Sequence, residues 1–337
     1  MGMFYKYLFI LFAISVLATP QTARANHGPA TTGGGSSTIS GETLKQGSFV
    51  FSLDESYTNF ENVSREEAES EAMKSGEFDA LRDAYVTNLS IAYGISDDFQ
   101  IEGQIGWYSG RGFIDAHATE GEEDHEPQAL SFLKSASAGS ATGNPEGLTD
   151  LAIRGKYRLM KGAPGNLSVV LGGIIPTGKD DELLSDGDPL EPSSQPGTGE
   201  FGIQSGLAYS RYLTTNITLD GSALYTYRFE DDGFQVGERL DTSVAFAYRF
   251  TESVRDYPQV SVFGEVTNVY IGKDESDEEG NNPNSGGNTL FLTPGVRLRF
   301  TEQVSFSLAP SIPVLQDLNG NQLETDFRVM GQLTLGM

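Results

Sequence analysis

From about Gly47 to Met337 the chain repeats one pattern. Segments of roughly ten residues alternate apolar and polar side chains, and every second connection between them is short. Asp150-Leu151-Ala152-Ile153-Arg154-Gly155-Lys156-Tyr157-Arg158-Leu159 shows it best. Successive side chains of a strand point to opposite faces, so Leu151, Ile153, Tyr157 and Leu159 share one face and Asp150, Arg154, Lys156 and Arg158 the other. One face suits hydrocarbon and the other water. Closed on itself, a sheet of such strands leaves no unpaired edge, which is a condition for crossing a membrane with strands. The expected fold is therefore all-β: a transmembrane antiparallel up-and-down β-barrel of about twelve strands.

The spacing predicts strands at 48–57, 84–94, 99–108, 149–159, 166–175, 200–212, 216–228, 239–250, 259–271, 289–300, 303–314 and 325–337. Connections after even-numbered strands are brief, such as Ile95 to Asp98, Leu213 to Thr215 and Thr301-Glu302. Those after odd-numbered strands are longer, at 58–83, 109–148, 176–199, 229–238, 272–288 and 315–324. Outer-membrane barrels place short turns in the periplasm and long loops outside, and an even strand number returns both termini to the periplasm. Aromatics gather at both strand ends. Tyr93, Phe99, Tyr157, Tyr209, Tyr248, Phe250 and Phe300 lie by the short turns, and Trp107, Tyr108, Phe201, Tyr227, Phe229 and Tyr270 by the long loops. Two such bands are expected at the two lipid–water interfaces.

The N-terminus fits an exported protein. Lys6 precedes an apolar run from Tyr7 to Ala18, too short for a spanning helix, and Ala23-Arg24-Ala25 is a small-x-small cleavage pattern. Residues 1–25 read as a signal peptide, 26–46 as a flexible periplasmic segment or one tucked into the barrel mouth, and 47–337 as the barrel. The destination expected is the bacterial outer membrane of a Gram-negative cell. There is no cysteine, so no disulfide staples the fold. With 22 basic and 47 acidic residues, the chain would repel nucleic acid. The partners expected are outer-membrane lipids and lipopolysaccharide, the barrel-assembly machinery during biogenesis, and a small-molecule solute.

Within the loops, Arg65-Glu66-Glu67-Ala68-Glu69 and Ala80-Leu81-Arg82 suggest a short surface helix, and the acidic run Asp274 to Asn284 is expected to be mobile. His117 and His125 share the longest loop with Glu122 and Glu123, which makes them the weak candidates for a metal site. A Ser–His or Asp–His device needs an imidazole base on the barrel wall, and none of His27, His117 and His125 falls on a predicted strand. Gly173 to Lys179 matches part of a phosphate-binding loop, but Asp180 stands where Ser or Thr is needed and no helix follows. Asp317 to Asn321 echoes a calcium loop without its glycine or its final glutamate, and reads as a tight turn. No enzyme activity and no cofactor are expected.

Three stretches carry a family resemblance. Gly147 to Arg158 resembles the G-[LI]-x-D-L-x-x-x-x-K-Y-R strand of a family of outer-membrane barrels named for the meta-pathway of phenol degradation. Gly172-Gly173-Ile174-Ile175-Pro176-Thr177-Gly178 is similar to its next strand, and Leu290-Phe291-Leu292-Thr293-Pro294-Gly295 to a late one. The resemblance implies a barrel that passes small molecules, hydrophobic ones among them.

The functional expectation is a passive channel for small hydrophobic or anionic molecules, with a narrow lumen set by its strand number. Parity places Arg154, Lys156, Arg158, Asp220, Arg239, Asp241, Arg249, Arg297 and Arg299 on the pore-lining side. Two readings stay open beside it: a structural or adhesive barrel without transport, and a surface barrel that binds metal through the acidic, His-containing loop.

Overall fold

The computed structural model describes residues 34–119, 137–251, 256–277 and 280–337. The signal peptide expected at 1–25 lies outside them, as do Glu122, Glu123 and His125.

Twelve strands close into one antiparallel barrel. They are β1 (Phe49–Phe60), β2 (Asp83–Ser96), β3 (Phe99–Arg111), β4 (Leu151–Met160), β5 (Asn166–Ile175) and β6 (Gly202–Tyr212). The second half is β7 (Ile217–Arg228), β8 (Arg239–Arg249), β9 (Gln259–Ile271), β10 (Gly287–Arg299), β11 (Val304–Leu318) and β12 (Thr325–Gly336). Each pairs with its chain neighbours, and β1 closes on β12 with Leu53 opposite Leu333 and Thr58 opposite Arg328. The strands follow the sequence pattern because one register satisfies both faces. A slip of one residue would turn every charged side chain towards lipid.

The barrel is apolar outside and polar inside. Leu89, Leu171, Ile203, Leu207, Phe246 and Leu308 are exposed on its outer wall. Gln100, Lys156, Ser168, Ser210, Asp220, Glu265 and Thr293 are buried within. A water-soluble sandwich would reverse this arrangement. Ring pairs bound the apolar belt: Phe49–Tyr93 at 4.4 Å and Tyr248–Phe250 at 5.1 Å by the short turns, and Tyr227–Phe229 at 5.4 Å by the long loops. Tyr57, Tyr85 and Phe327 extend the outer band. Tyr108 departs from the expectation. It alternates with the exposed Trp107 and therefore turns inward, where it lines the outer vestibule.

Pairing between β10 and β11 stops at Leu292–Ile312 and resumes at Val296–Leu308. Pro294 and Pro310 fall in this interval and have no N–H to give. Inside, the Thr293 and Ser311 hydroxyls meet at 2.7 Å across the break. The Phe263 ring covers Gly295, its cross-strand partner, in the space that a Cβ there would fill.

The long loops build an outer storey. Helix α1 (Arg65–Ser75) begins on a capping box between Ser64 and Glu67. Its Ala68 and Ala72, one turn apart, pack with Phe78, Ala80 and Ala116. Phe78 and Ala80 lie on the strand Glu77–Ala80, so Ala80 belongs to a strand and not to the expected helix. That strand pairs with Phe113–Thr119, which pairs with Ser137–Gly143. Phe113, Ala141, Leu184 and Leu190 then join this sheet to the loop that follows β5. The acidic run Asp274 to Asn284, expected to be mobile, is tied down where described. Glu275–Ser276 pairs with both Phe234–Gln235 and Gly280–Asn281, and Asp274 accepts the Gly237 N–H at 2.7 Å.

Candidate functional site

Residues 34–44 run inside the barrel, and Lys45 and Gln46 lie exposed beside the Asp97 turn, so this stretch of the 26–46 segment is held and does not trail as a free lead. Its sequence, Gly34-Gly35-Ser36-Ser37-Thr38-Ile39-Ser40-Gly41, offers small side chains and many backbone donors. Two wall carboxylates accept them. Asp220 on β7 takes the Gly34 N–H at 2.7 Å. Glu265 on β9 takes the Ser36 N–H at 2.9 Å, the Ser37 N–H at 3.0 Å and the Thr38 hydroxyl at 2.5 Å. Wall cations bind the carbonyls: Arg297 donates to Gly35 at 2.7 Å and Lys156 to Ser40 at 2.9 Å. Further along, Ser168 donates to the Gly41 carbonyl at 2.7 Å and Ser210 accepts the Gly41 N–H at 2.8 Å. A Cβ on Gly41 would collide with the Asn166 carbonyl oxygen, so the close approach requires glycine. The charged groups here are buried, and the segment's polar atoms replace the water they would otherwise need.

Two cavities lie above and beside this segment. The outer vestibule, of about 690 Å³, is walled by the long loops. The inner one, of about 460 Å³, lies against Ser36 to Ile39 and is lined by Arg154, Lys156, Arg328, Glu102 and Asp54. Leu224, Arg239 and Asp241 line both, so the two spaces are separated by no more than these side chains at that level. Arg239 and Asp241 form a two-bonded pair there, each contact 2.8 Å. Arg154 pairs with Glu102 at 3.7 Å and also donates to Gln104. Arg328 stacks on Phe291, 4.7 Å from its centroid.

The nine residues assigned by parity therefore separate into three groups. Arg154, Lys156, Arg239 and Asp241 border the inner cavity. Asp220, Arg297 and, again, Lys156 hold the N-terminal segment. Arg158, Arg249 and Arg299 are drawn into the short turns. Arg158 bonds Asp98 and the Asp97 carbonyl, Arg249 the Thr215 carbonyl, and Arg299 the Glu302 carbonyl. Sequence reasoning missed Glu265 and Arg328. The parity of Phe263 and Thr267 around Glu265 was available to find the first. Arg328 follows Asp326 and Phe327, where the alternation is blurred.

His117 lies on the strand Phe113–Thr119 and its imidazole bonds Asp115. That bond raises its pKa to about 9, which keeps the ring protonated at neutral pH and unlike a metal ligand. Its proposed companions Glu122, Glu123 and His125 lie outside the described residues.

Two of the motif stretches meet in space. Asp150 accepts the Gly178 N–H at 3.1 Å, and Thr177 accepts the Leu151 N–H at 3.1 Å. Arg228 from β7 closes on the same Asp150 carboxylate at 2.9 Å. This knot fixes where the wall ends and the outer loops begin.

A closed twelve-stranded barrel with an apolar outer belt and a polar, segment-filled lumen defines an outer-membrane barrel. The chain belongs to the family described as "Putative MetA-pathway of phenol degradation", whose model matches residues 74–312. No curated protein is significantly similar to it. Among solved structures, an outer membrane channel from Pseudomonas putida F1 shares its fold at a TM-score of 0.54. The two are 11% identical, over 88% of this chain and 97% of that one. The β domain of the Bordetella autotransporter BrkA matches at a TM-score of 0.41 and 11% identity, over 87% of this chain and 100% of that one. The porin NanC matches at 0.40 and 10%, over 83% and 98%. The last two scores lie below the level at which a fold is shared.

Proposed function

We propose that this barrel is a passive channel for small solutes, gated or narrowed by residues 34–46. The observation that carries the reading is the stacking of two internal cavities that share Leu224, Arg239 and Asp241 as lining, with the N-terminal segment against the inner one. A purely structural barrel has no need of internal space on this scale, and its lumen can be filled by its own side chains. Diffusion would follow the gradient, with selectivity set by bore and lining charge. Arg154, Lys156, Arg239 and Arg328 outnumber the acids Asp54, Glu102 and Asp241 around the inner cavity, which favours anionic solutes. Solutes with an apolar part are accommodated by Val50, Ala92, Val170 and Leu224 in the same wall. No catalytic role is proposed, since the one described histidine is committed to Asp115 in the outer storey. The test is reconstitution in planar bilayers under a salt gradient. The reading requires measurable conductance with anion preference, and a folded but silent barrel contradicts it.

A further inference from the structure

The strand Glu77–Ala80 divides its side chains cleanly. Phe78 and Ala80 enter the apolar cluster beneath α1, whereas Glu77 and Asp79 point away from it into the outer vestibule. The next strand brings Asp115 opposite Asp79 and His117 opposite Glu77. A third carboxylate arrives from elsewhere in the chain. Glu191, in the loop after β5 and just before the turn Pro192–Ser194, lines the same vestibule. One carboxylate oxygen from each of Glu77, Asp79 and Glu191 lies within 4.8 Å of the others.

Three acids drawn together would be no more than a solvated patch if water reached them freely. Here it does not. Asp79 Oδ1 is buried and has no hydrogen-bond partner. Asp274 adds to the negative field at Glu191, and the nearby cation, His117, already serves Asp115. A buried acceptor without a donor, facing two further carboxylates, costs free energy that a bound cation would offset.

We infer that Glu77, Asp79 and Glu191 form a binding site for a hard divalent cation, calcium in particular, between the first and third extracellular loops. All three donors are carboxylate oxygens, which select calcium or magnesium over softer metals. Three protein carboxylates at one point suit calcium, whereas magnesium keeps several waters and takes one or two. The ion would pin the loop sheet to the Pro192–Ser194 turn and so brace the vestibule from both sides.

The test is calorimetric titration of the chelator-treated, detergent-purified full chain with calcium chloride, repeated with magnesium chloride. The variants are Asp79→Asn, Glu191→Gln and, as a control on another acidic loop, Glu275→Gln. The expected result is one calcium site per chain, weaker binding of magnesium, and at least a tenfold loss of calcium affinity in Asp79→Asn and in Glu191→Gln. The Glu275→Gln variant keeps wild-type affinity. Heat-modifiable migration shows which variants are folded, and Glu191→Gln, lying in a loop, tests the site without disturbing the strand pairing. Absence of saturable calcium binding, or full affinity retained in both folded site variants, overturns the inference.

Discussion

Lys156 Nζ donates to the Ser40 carbonyl oxygen at 2.9 Å, joining the wall near the short turns to the N-terminal segment across 116 positions of sequence. The lysine is fully inside the wall, and the carbonyl takes the place of water. The same strand carries Tyr157 outward among the interface aromatics and Arg158 inward to the Asp98 turn. Three consecutive residues of one motif thus serve the lumen, the lipid interface and a turn.

The strongest hold on the N-terminal segment is Glu265, which accepts three hydrogen bonds from it. Hydrogen bonds to a charged group contribute about 1.5–3 kcal/mol each. With no native cysteine, a Ser40→Cys background gives a single buried thiol to follow. Adding Glu265→Gln is expected to speed thiol labelling by about 10- to 100-fold, since each ~1.4 kcal/mol lost is tenfold in exposure. Equal labelling rates would show that Glu265 does not retain the segment.

Adjacent residues of β2 test the inside-out wall. Leu89 is exposed mid-strand on the outer face, and Ser90 lines the inner cavity. Leu89→Arg is expected to cost about 2–4 kcal/mol of folding free energy, the penalty of arginine near the bilayer midplane. Ser90→Arg should stay within about 1 kcal/mol, because a polar side chain there meets water. Denaturant unfolding in lipid vesicles measures both, and a reversed order would invert the barrel.

The close approach of Phe263 to Gly295 makes a paired prediction. Any side chain there meets the Phe263 ring. Gly295→Val should abolish the heat-modifiable folded band, and Gly295→Val with Phe263→Ala should restore most of it by vacating that space. Failure of the double variant to recover would assign the defect to strand geometry, not to the ring.

Much of the barrel was legible because a strand's two environments are written into alternate residues. Ile153 beside Arg154 is enough to orient β4. The long-loop sheet was less legible, since Glu77-Phe78-Asp79-Ala80 is too short to declare a period. Asp274 looked like part of a solvated run because the Gly237 N–H that holds it comes from another loop. The N-terminal segment was the least legible. Its Gly, Ser and Thr residues carry no periodicity, and its order comes from Asp220, Glu265 and Arg297, which lie far away in sequence. For the same reason the arginine pair Arg297 and Arg299 is a poor probe of selectivity. Arg297 is occupied by Gly35 and Arg299 by Glu302.

Selectivity should follow the arginines that border open space. Arg239→Gln with Arg328→Gln is expected to move the reversal potential under a salt gradient towards cations, because both side chains line the inner cavity. In a narrow passage of low dielectric their charge acts more strongly than on an open surface. An unchanged reversal potential in the folded double variant would remove them from the conducting path.

Single-channel recording of the purified barrel beside a variant lacking residues 34–46 tests the channel account most directly. Both proteins should insert as folded barrels, and the variant should conduct severalfold more current with fewer closures, because the segment occupies the inner end of the passage. Equal conductance in the two, or silence in both, would contradict a lumen that is continuous and limited by its N-terminal segment.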